Sequence, residues 1–153
     1  MTANYVELAK ICAALTEGET DPVALMATLA CELYYADDRF SWTGFYRLIA
    51  PETLKIGPYQ GGHGWMTIPF ERGVCGACAR DEATKIVADV ETFPGHIAGS
   101  GPTRSELALP VWNGKGKFIG VLDIGSEQRG AFTLDDAVEL ADILQVAFGQ
   151  VKK

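Results

Sequence analysis

Helical periodicity is confined to the two ends of this chain, and that arrangement constrains its fold more than any other feature. Over residues 3–16, Tyr5, Leu8, Cys12 and Leu15 recur at steps of three and four, the spacing of one apolar helix face. Asp21-Pro22 then supplies a cap and a first-turn proline. Met26, Leu29, Ala30 and Leu33 continue an apolar stripe, which predicts a second helix over 22–36. Thr133 caps a third over 133–150, with Asp135 and Asp136 suiting its positive end and Lys152 and Lys153 its negative one.

Between these helices the chain changes to short aromatic and β-branched runs broken by glycine and proline. FSWTGFYRLIA and ETLKIGPYQG meet at Pro51-Glu52 and read as an antiparallel pair. MTIPF and KIVA are short strands, with a short helix, CGACARDEA, between them. ELALPVW and KFIGVLDIG form a hairpin with Asn113-Gly114 as its turn signal. A loop from Asp89 to Thr103, rich in glycine and proline, is long enough to suggest a functional segment. The pattern predicts an α+β domain: a mostly antiparallel sheet, the N- and C-terminal helices on one face, and a ligand pocket under loops on the other.

The 153 residues, 48% of them apolar, suit one core and hence a single domain over 1–153. Twenty acidic against 13 basic residues give a net charge of −7 without any basic run, which argues against nucleic acid, acidic substrates and anionic membranes as partners. The first ten residues lack the basic start and apolar run of a signal peptide, so a cytoplasmic location is expected. In that reducing compartment the four cysteines are thiols, catalytic pairs or metal ligands rather than a disulfide scaffold.

The segments SWTGFY, GPYQG, IPFERGVCG, ADVETFPGHIA, SELALPV and GVLDIGS, in this order, resemble the free methionine-(R)-sulfoxide reductases, whose chains are single GAF domains. The resemblance implies a six-stranded GAF sheet, a homodimer packed through the terminal helices, and a pocket closed by the long loop. It also implies that a tryptophan and a tyrosine of the first strand hold the methyl sulfoxide end of the ligand, while acids bind the sulfoxide and the amino group. Trp42, Tyr46, Glu106 and Asp123 stand at those positions. The family's catalytic cysteine, after GHIA, and its resolving cysteine, before IPF, correspond to Gly99 and Trp65, and its second acid to Gly125. Cys75 alone remains of the three cysteines around the pocket, and the resemblance does not make it the attacking one.

A sulfoxide reductase needs one thiolate to attack sulfur and a second thiol to resolve the sulfenic acid. Cys75 and Cys78 lie one turn apart near a predicted helix N-terminus, where the dipole would lower a thiol pKa and the C-x-x-C spacing permits a disulfide. Against this stands ordinary packing, with Cys75 in the pocket wall and Cys78 in an apolar slot. Zinc at the pair lacks two further ligands at a second close spacing, so no metal is expected. Cys12 and Cys31 fall on apolar helix stripes and read as core. Trp42 and Tyr46 share a strand face and could form a box for a methyl or cationic group, or simply pack.

Asp123, a carboxylate in an apolar run, reads either as a ligand or as an anchor for the amides of residues 95–99. His96 is a ligand contact or a structural hydrogen bonder, His63 reads as exposed, and Trp65 could cover the pocket. Two functions follow: a GAF-type module binding a small amino-acid-like ligand such as methionine sulfoxide, without standard catalysis, or an active reductase using Cys75 and Cys78. The second needs no bound cofactor, with thioredoxin and NADPH as the external reducing system. A tetrapyrrole- or cyclic-nucleotide-sensing module has less support, because no cysteine occupies an evident chromophore position.

Overall fold

A computed structural model describes residues 1–96 and 101–153. The elements in order are α1 (Tyr5–Thr16), α2 (Pro22–Ala36), β1 (Trp42–Ala50), β2 (Thr53–Gln60), β3 (Thr67–Pro69), α3 (Gly73–Asp81), β4 (Lys85–Val87), β5 (Ser105–Trp112), β6 (Phe118–Ser126) and α4 (Leu134–Phe148). The six strands form one sheet in the order β3-β2-β1-β6-β5-β4, with every neighbouring pair antiparallel. No helix among the described residues is long and apolar enough to cross a membrane.

Strand alternation divides the interior in two. Phe45, Leu107, Leu109, Leu122 and Ile124 point to one face and are buried against α1, α2 and α4 through Leu8, Leu25, Leu29, Leu33, Leu140 and Phe148. Tyr46, Ala108 and Val121 point to the other, where Val74, Cys75 and Cys78 of α3 cover them. Helices on one face and a short helix with loops on the other give the layering that the sequence pattern predicted.

The caps form where their side chains stand. Asn4 accepts from the Glu7 amide at 3.2 Å and Asp21 from the Val23 amide at 2.9 Å, each satisfying an otherwise unpaired helical donor. Thr133 and Asp136 close a reciprocal capping box on α4, with Thr133 N–H donating to Asp136 Oδ2 at 2.9 Å.

Several local expectations shift. Leu15 is 56% exposed and Thr16 takes its inward place, its hydroxyl donating to the Cys12 carbonyl at 2.7 Å. Cys12 is core, whereas Cys31 is only half-buried. Helix α4 ends at Phe148, so Lys152 and Lys153 lie beyond its last turn. The β5–β6 connection is not a two-residue Asn-Gly turn. Asn113 Oδ1 accepts from the amides of Lys115 and Lys117, and Gly116, at φ +76°, supplies the left-handed residue.

One polar network ties the helical layer together. Arg39, just before β1, donates to Asp37 Oδ2 at 2.7 Å and to both carboxylate oxygens of Asp136 at 2.9 Å, while the Tyr5 hydroxyl donates to Asp136 Oδ1 at 2.6 Å. Burial alone would raise the Asp136 pKa, but these donors outweigh it and bring the carboxyl down to about 2. Its contribution to stability is therefore complete above the ordinary aspartate range near pH 4 and is lost as pH falls towards 2. Replacing Arg39 with Met leaves two largely buried carboxylates without their cation, and should cost about 3 kcal/mol in urea unfolding at pH 7. That deficit should shrink as the pH is lowered through 4 to 2.

Candidate functional site

The site grows from the register of three strands. Gly44 of β1 lies opposite Asp123 of β6, Trp42 opposite Gly125, and Glu106 of β5 opposite Gly125. Trp42, Tyr46, Glu106 and Asp123, which are separated by up to 81 positions in sequence, thus share the sheet face turned away from the long helices. Above them lies a cavity of about 190 Å³, below the roughly 300–1,000 Å³ of pockets for drug-sized molecules and so suited to a ligand of amino-acid size. Its walls are completed by Gly73 and Val74 of α3, by His63, Gly64 and Trp65 of the connection after β2, and by His96 and Thr103.

Aromatic rings make one side. Trp42 stacks on Tyr59 with centroids 5.3 Å apart and on Tyr46 at 6.0 Å, with interplanar angles of 16° and 24°. Its indole N–H donates to the Gly62 carbonyl at 2.6 Å. Gly44 makes the stack possible, because a Cβ there would lie 2.7 Å from the Trp42 ring and 2.4 Å from Tyr59 Cβ. The first-strand aromatics therefore form a preassembled stack, whose tyrosine Tyr46 is 3% exposed. Burial first, then the nearby Asp123, Cys75 and Glu106, push the Tyr46 hydroxyl pKa upward and keep it a proton donor.

Acidic groups make the opposite side. Glu106 and the Cys75 thiol stand beside Asp123, with one donor atom from each of the three residues within 4.8 Å of the others. Glu106 is half-buried by surface area yet sits deep among protein atoms. Its pKa is raised well above the ordinary value by burial, then by the Asp123 charge. Burial raises Asp123 as well, while the neighbouring Glu106 and Cys75 oppose the rise. The pair therefore holds a proton in a range where exposed carboxyls hold none. Even so, Asp123 Oδ1 is buried without a hydrogen-bond partner. Asp123 belongs to this cluster and does not bond the amides of Gly95 and His96, the described part of the loop it was expected to anchor.

Of the two readings open for the α3 cysteines, a redox pair or ordinary packing, their burial fits packing. They do lie in the first and second turns of α3, but Cys75 is 4% exposed and Cys78 fully buried, and both are free thiols. Burial raises the Cys75 pKa well above its usual value, with Asp123 and Glu106 adding to it, and burial likewise pushes Cys78 up to about 12. Desolvation beside carboxyls outweighs the helix dipole, so both thiols stay protonated at neutral pH.

The remaining candidates fall as follows. Trp65 is 43% exposed at the cavity mouth, and His96 lines the wall. Gly99 lies outside the described residues. Gly125 is covered by Thr103, whose Oγ1 and Cγ2 lie 3.0 and 3.1 Å from where a Cβ would stand. Thr103 was not singled out from sequence, and His63 was read only as exposed. Their flanking glycines and prolines marked only loops, and His63 is exposed while also reaching the cavity wall.

Because Glu106 carries a raised pKa in the folded state, its stabilising effect is complete below about pH 4 and is lost as pH rises towards its folded value. Glu106→Gln should therefore unfold at higher temperature than the parent protein at pH 8. The gap should close by about 1.4 kcal/mol per pH unit as the two titrations are traversed downward, as followed by calorimetry at several pH values.

Comparison with known proteins agrees with this geometry. A GAF domain family model matches residues 19–150. The free methionine-R-sulfoxide reductase of Escherichia coli is 38% identical over 143 residues, covering 94% of this chain and 86% of that protein. The reduced form of the Staphylococcus aureus enzyme superposes with a TM-score of 0.93 at 35% identity, over 98% of this chain and 96% of that one. The Neisseria meningitidis free methionine-R-sulfoxide reductase, solved in complex with its substrate, gives a TM-score of 0.88 at 35% identity over 95% and 87%. The chain belongs to the GAF domain family, among the relatives of the free methionine-R-sulfoxide reductases.

Proposed function

We propose that this GAF domain binds a small amino-acid-like ligand, such as methionine sulfoxide, without the standard reductase chemistry of its named relatives. The observation that carries the reading is the state of the thiols. Cys75 and Cys78 are buried and held protonated, and Gly99 and Trp65 stand where the resemblance places the attacking and resolving cysteines. The cavity keeps Trp42, Tyr46, Glu106 and Asp123 in its lining. A ligand ammonium facing Glu106 and Asp123 would supply the positive charge that this acidic wall lacks, while Trp42, Tyr46 and Trp65 offer surface to its apolar end.

A cytoplasmic location and a homodimer packed through the terminal helices belong to the same reading. Four unpaired thiols suit a reducing compartment, and Val6, Leu15, Val138 and Val146 give α1 and α4 an outward apolar character. The alternative, an active free methionine-(R)-sulfoxide reductase recharged by thioredoxin, draws on one observation: the Cys75 thiol lies within 4.8 Å of an Asp123 carboxylate oxygen, a group that could take its proton.

The two readings diverge in a coupled assay with methionine-(R)-sulfoxide, thioredoxin, thioredoxin reductase and NADPH. No NADPH oxidation above a protein-free blank is expected. Calorimetry on the same preparation should detect binding of methionine-(R)-sulfoxide or methionine, weakened about tenfold or more by Asp123→Asn through loss of a charge-assisted hydrogen bond. Turnover that disappears in Cys75→Ser would establish the reductase instead.

A further inference from the structure

Along the chain Cys75 has no partner for a metal beyond Cys78, but the fold brings it two. Cys75 comes from the first turn of α3, Glu106 from β5 and Asp123 from β6, and a donor atom of each lies within 4.8 Å of the others. We infer that Cys75, Glu106 and Asp123 form a binding site for one thiophilic divalent cation of the zinc type, with Cys75 buried beneath it and Glu106 and Asp123 lining the cavity.

An independent observation points the same way. Asp123 is 8% exposed, and its Oδ1 is buried with no hydrogen-bond donor, so it retains an acceptor site that the protein leaves unused. The charges acting on Cys75 and Glu106 are unfavourable to their anionic forms. Asp123, Glu106 and Cys78 bear on Cys75, and Asp123 bears on Glu106, with no cationic side chain of the described residues among them. Burying acids in this way is costly unless a positive charge compensates them.

One thiolate and two carboxylates match the mixed S and O ligand set of a borderline-soft dication, and three protein ligands beside a cavity match sites that keep one position for water or a ligand. Binding displaces the Cys75 thiol proton and the proton held between Glu106 and Asp123, both of which leave to solvent, as the metal bonds to sulfur and oxygen form. The site uses the same carboxyls as the ligand reading above, so a metal and a ligand ammonium are alternative occupants of them; metal binding requires only the metal and stands without that reading.

The test uses Co²⁺ as a spectroscopic stand-in, titrated into the reduced protein under anaerobic conditions. A thiolate-to-cobalt charge-transfer band in the near ultraviolet, saturating at one equivalent, is expected. It should be absent in Cys75→Ser and retained in Cys31→Ser. Asp123→Asn, which keeps the thiol, should weaken Co²⁺ binding by at least about tenfold, since even outer groups of metal sites cost that much when removed. Excess Zn²⁺ should erase the band. Absence of a band in the parent protein, its persistence in Cys75→Ser, or unchanged affinity in Asp123→Asn each overturns the inference. Should Cys75→Ser fail to fold, the parent titration and Asp123→Asn remain decisive.

Discussion

The register between β1 and β6 is the constraint on which the rest of the structure depends. With Gly44 opposite Asp123 and Phe45 opposite Leu122, alternate residues of both central strands feed two different interiors. A slip of one residue would drive Asp123 into the layer of Leu29, Leu33 and Phe148 and expose Phe45 to the pocket. The penalty on both sides makes the register unambiguous, so the helical core specifies the position of the site residues without touching them. The Arg39 bridge to Asp37 and Asp136 acts at the same junction, fixing the entry to β1 against α4.

On the pocket side the molecule accepts an electrostatic cost that packing alone would not require. Two carboxyls and a thiol crowd within a few ångströms, and an acceptor oxygen is left without a donor. Sites that trade stability for recognition have this character, because the penalty is relieved only when something positive arrives. The same crowding keeps the Cys75 thiol protonated. That sulfur is thereby poorly suited to nucleophilic attack.

Much of this could be read along the chain, and what could not has identifiable causes. Helices and strands followed from the 3.6- and 2-residue periods, and Asp123 stood out as a carboxylate in an apolar run. Spacing alone did not show its partners, since Cys75 lies 48 positions before it and Glu106 17 before; only the family resemblance placed them around one pocket, and it is β5–β6 pairing and the packing of α3 on the sheet that join them. The thiols left two readings open along the chain for a related reason. Position at a helix N-terminus is visible in sequence, whereas desolvation comes from elements packed on top. Leu15 and Thr16 exchanged places because a threonine can return its hydroxyl to the helix backbone and then be buried. The Asn113-Gly114 pair announced a turn correctly but not its length, which Asn113 sets through two amides further on and Gly116 through its positive φ.

Each edge of the sheet ends in a strand of only three residues, β3 on one side and β4 on the other. Beyond their reach, the neighbouring strands β2 and β5 carry Pro58 and Pro110, which present no N–H to an incoming chain. The sheet therefore offers little template for strand-by-strand growth. Such a domain can accumulate to high concentration, or be partly opened at its loops, with small risk of seeding cross-β assemblies.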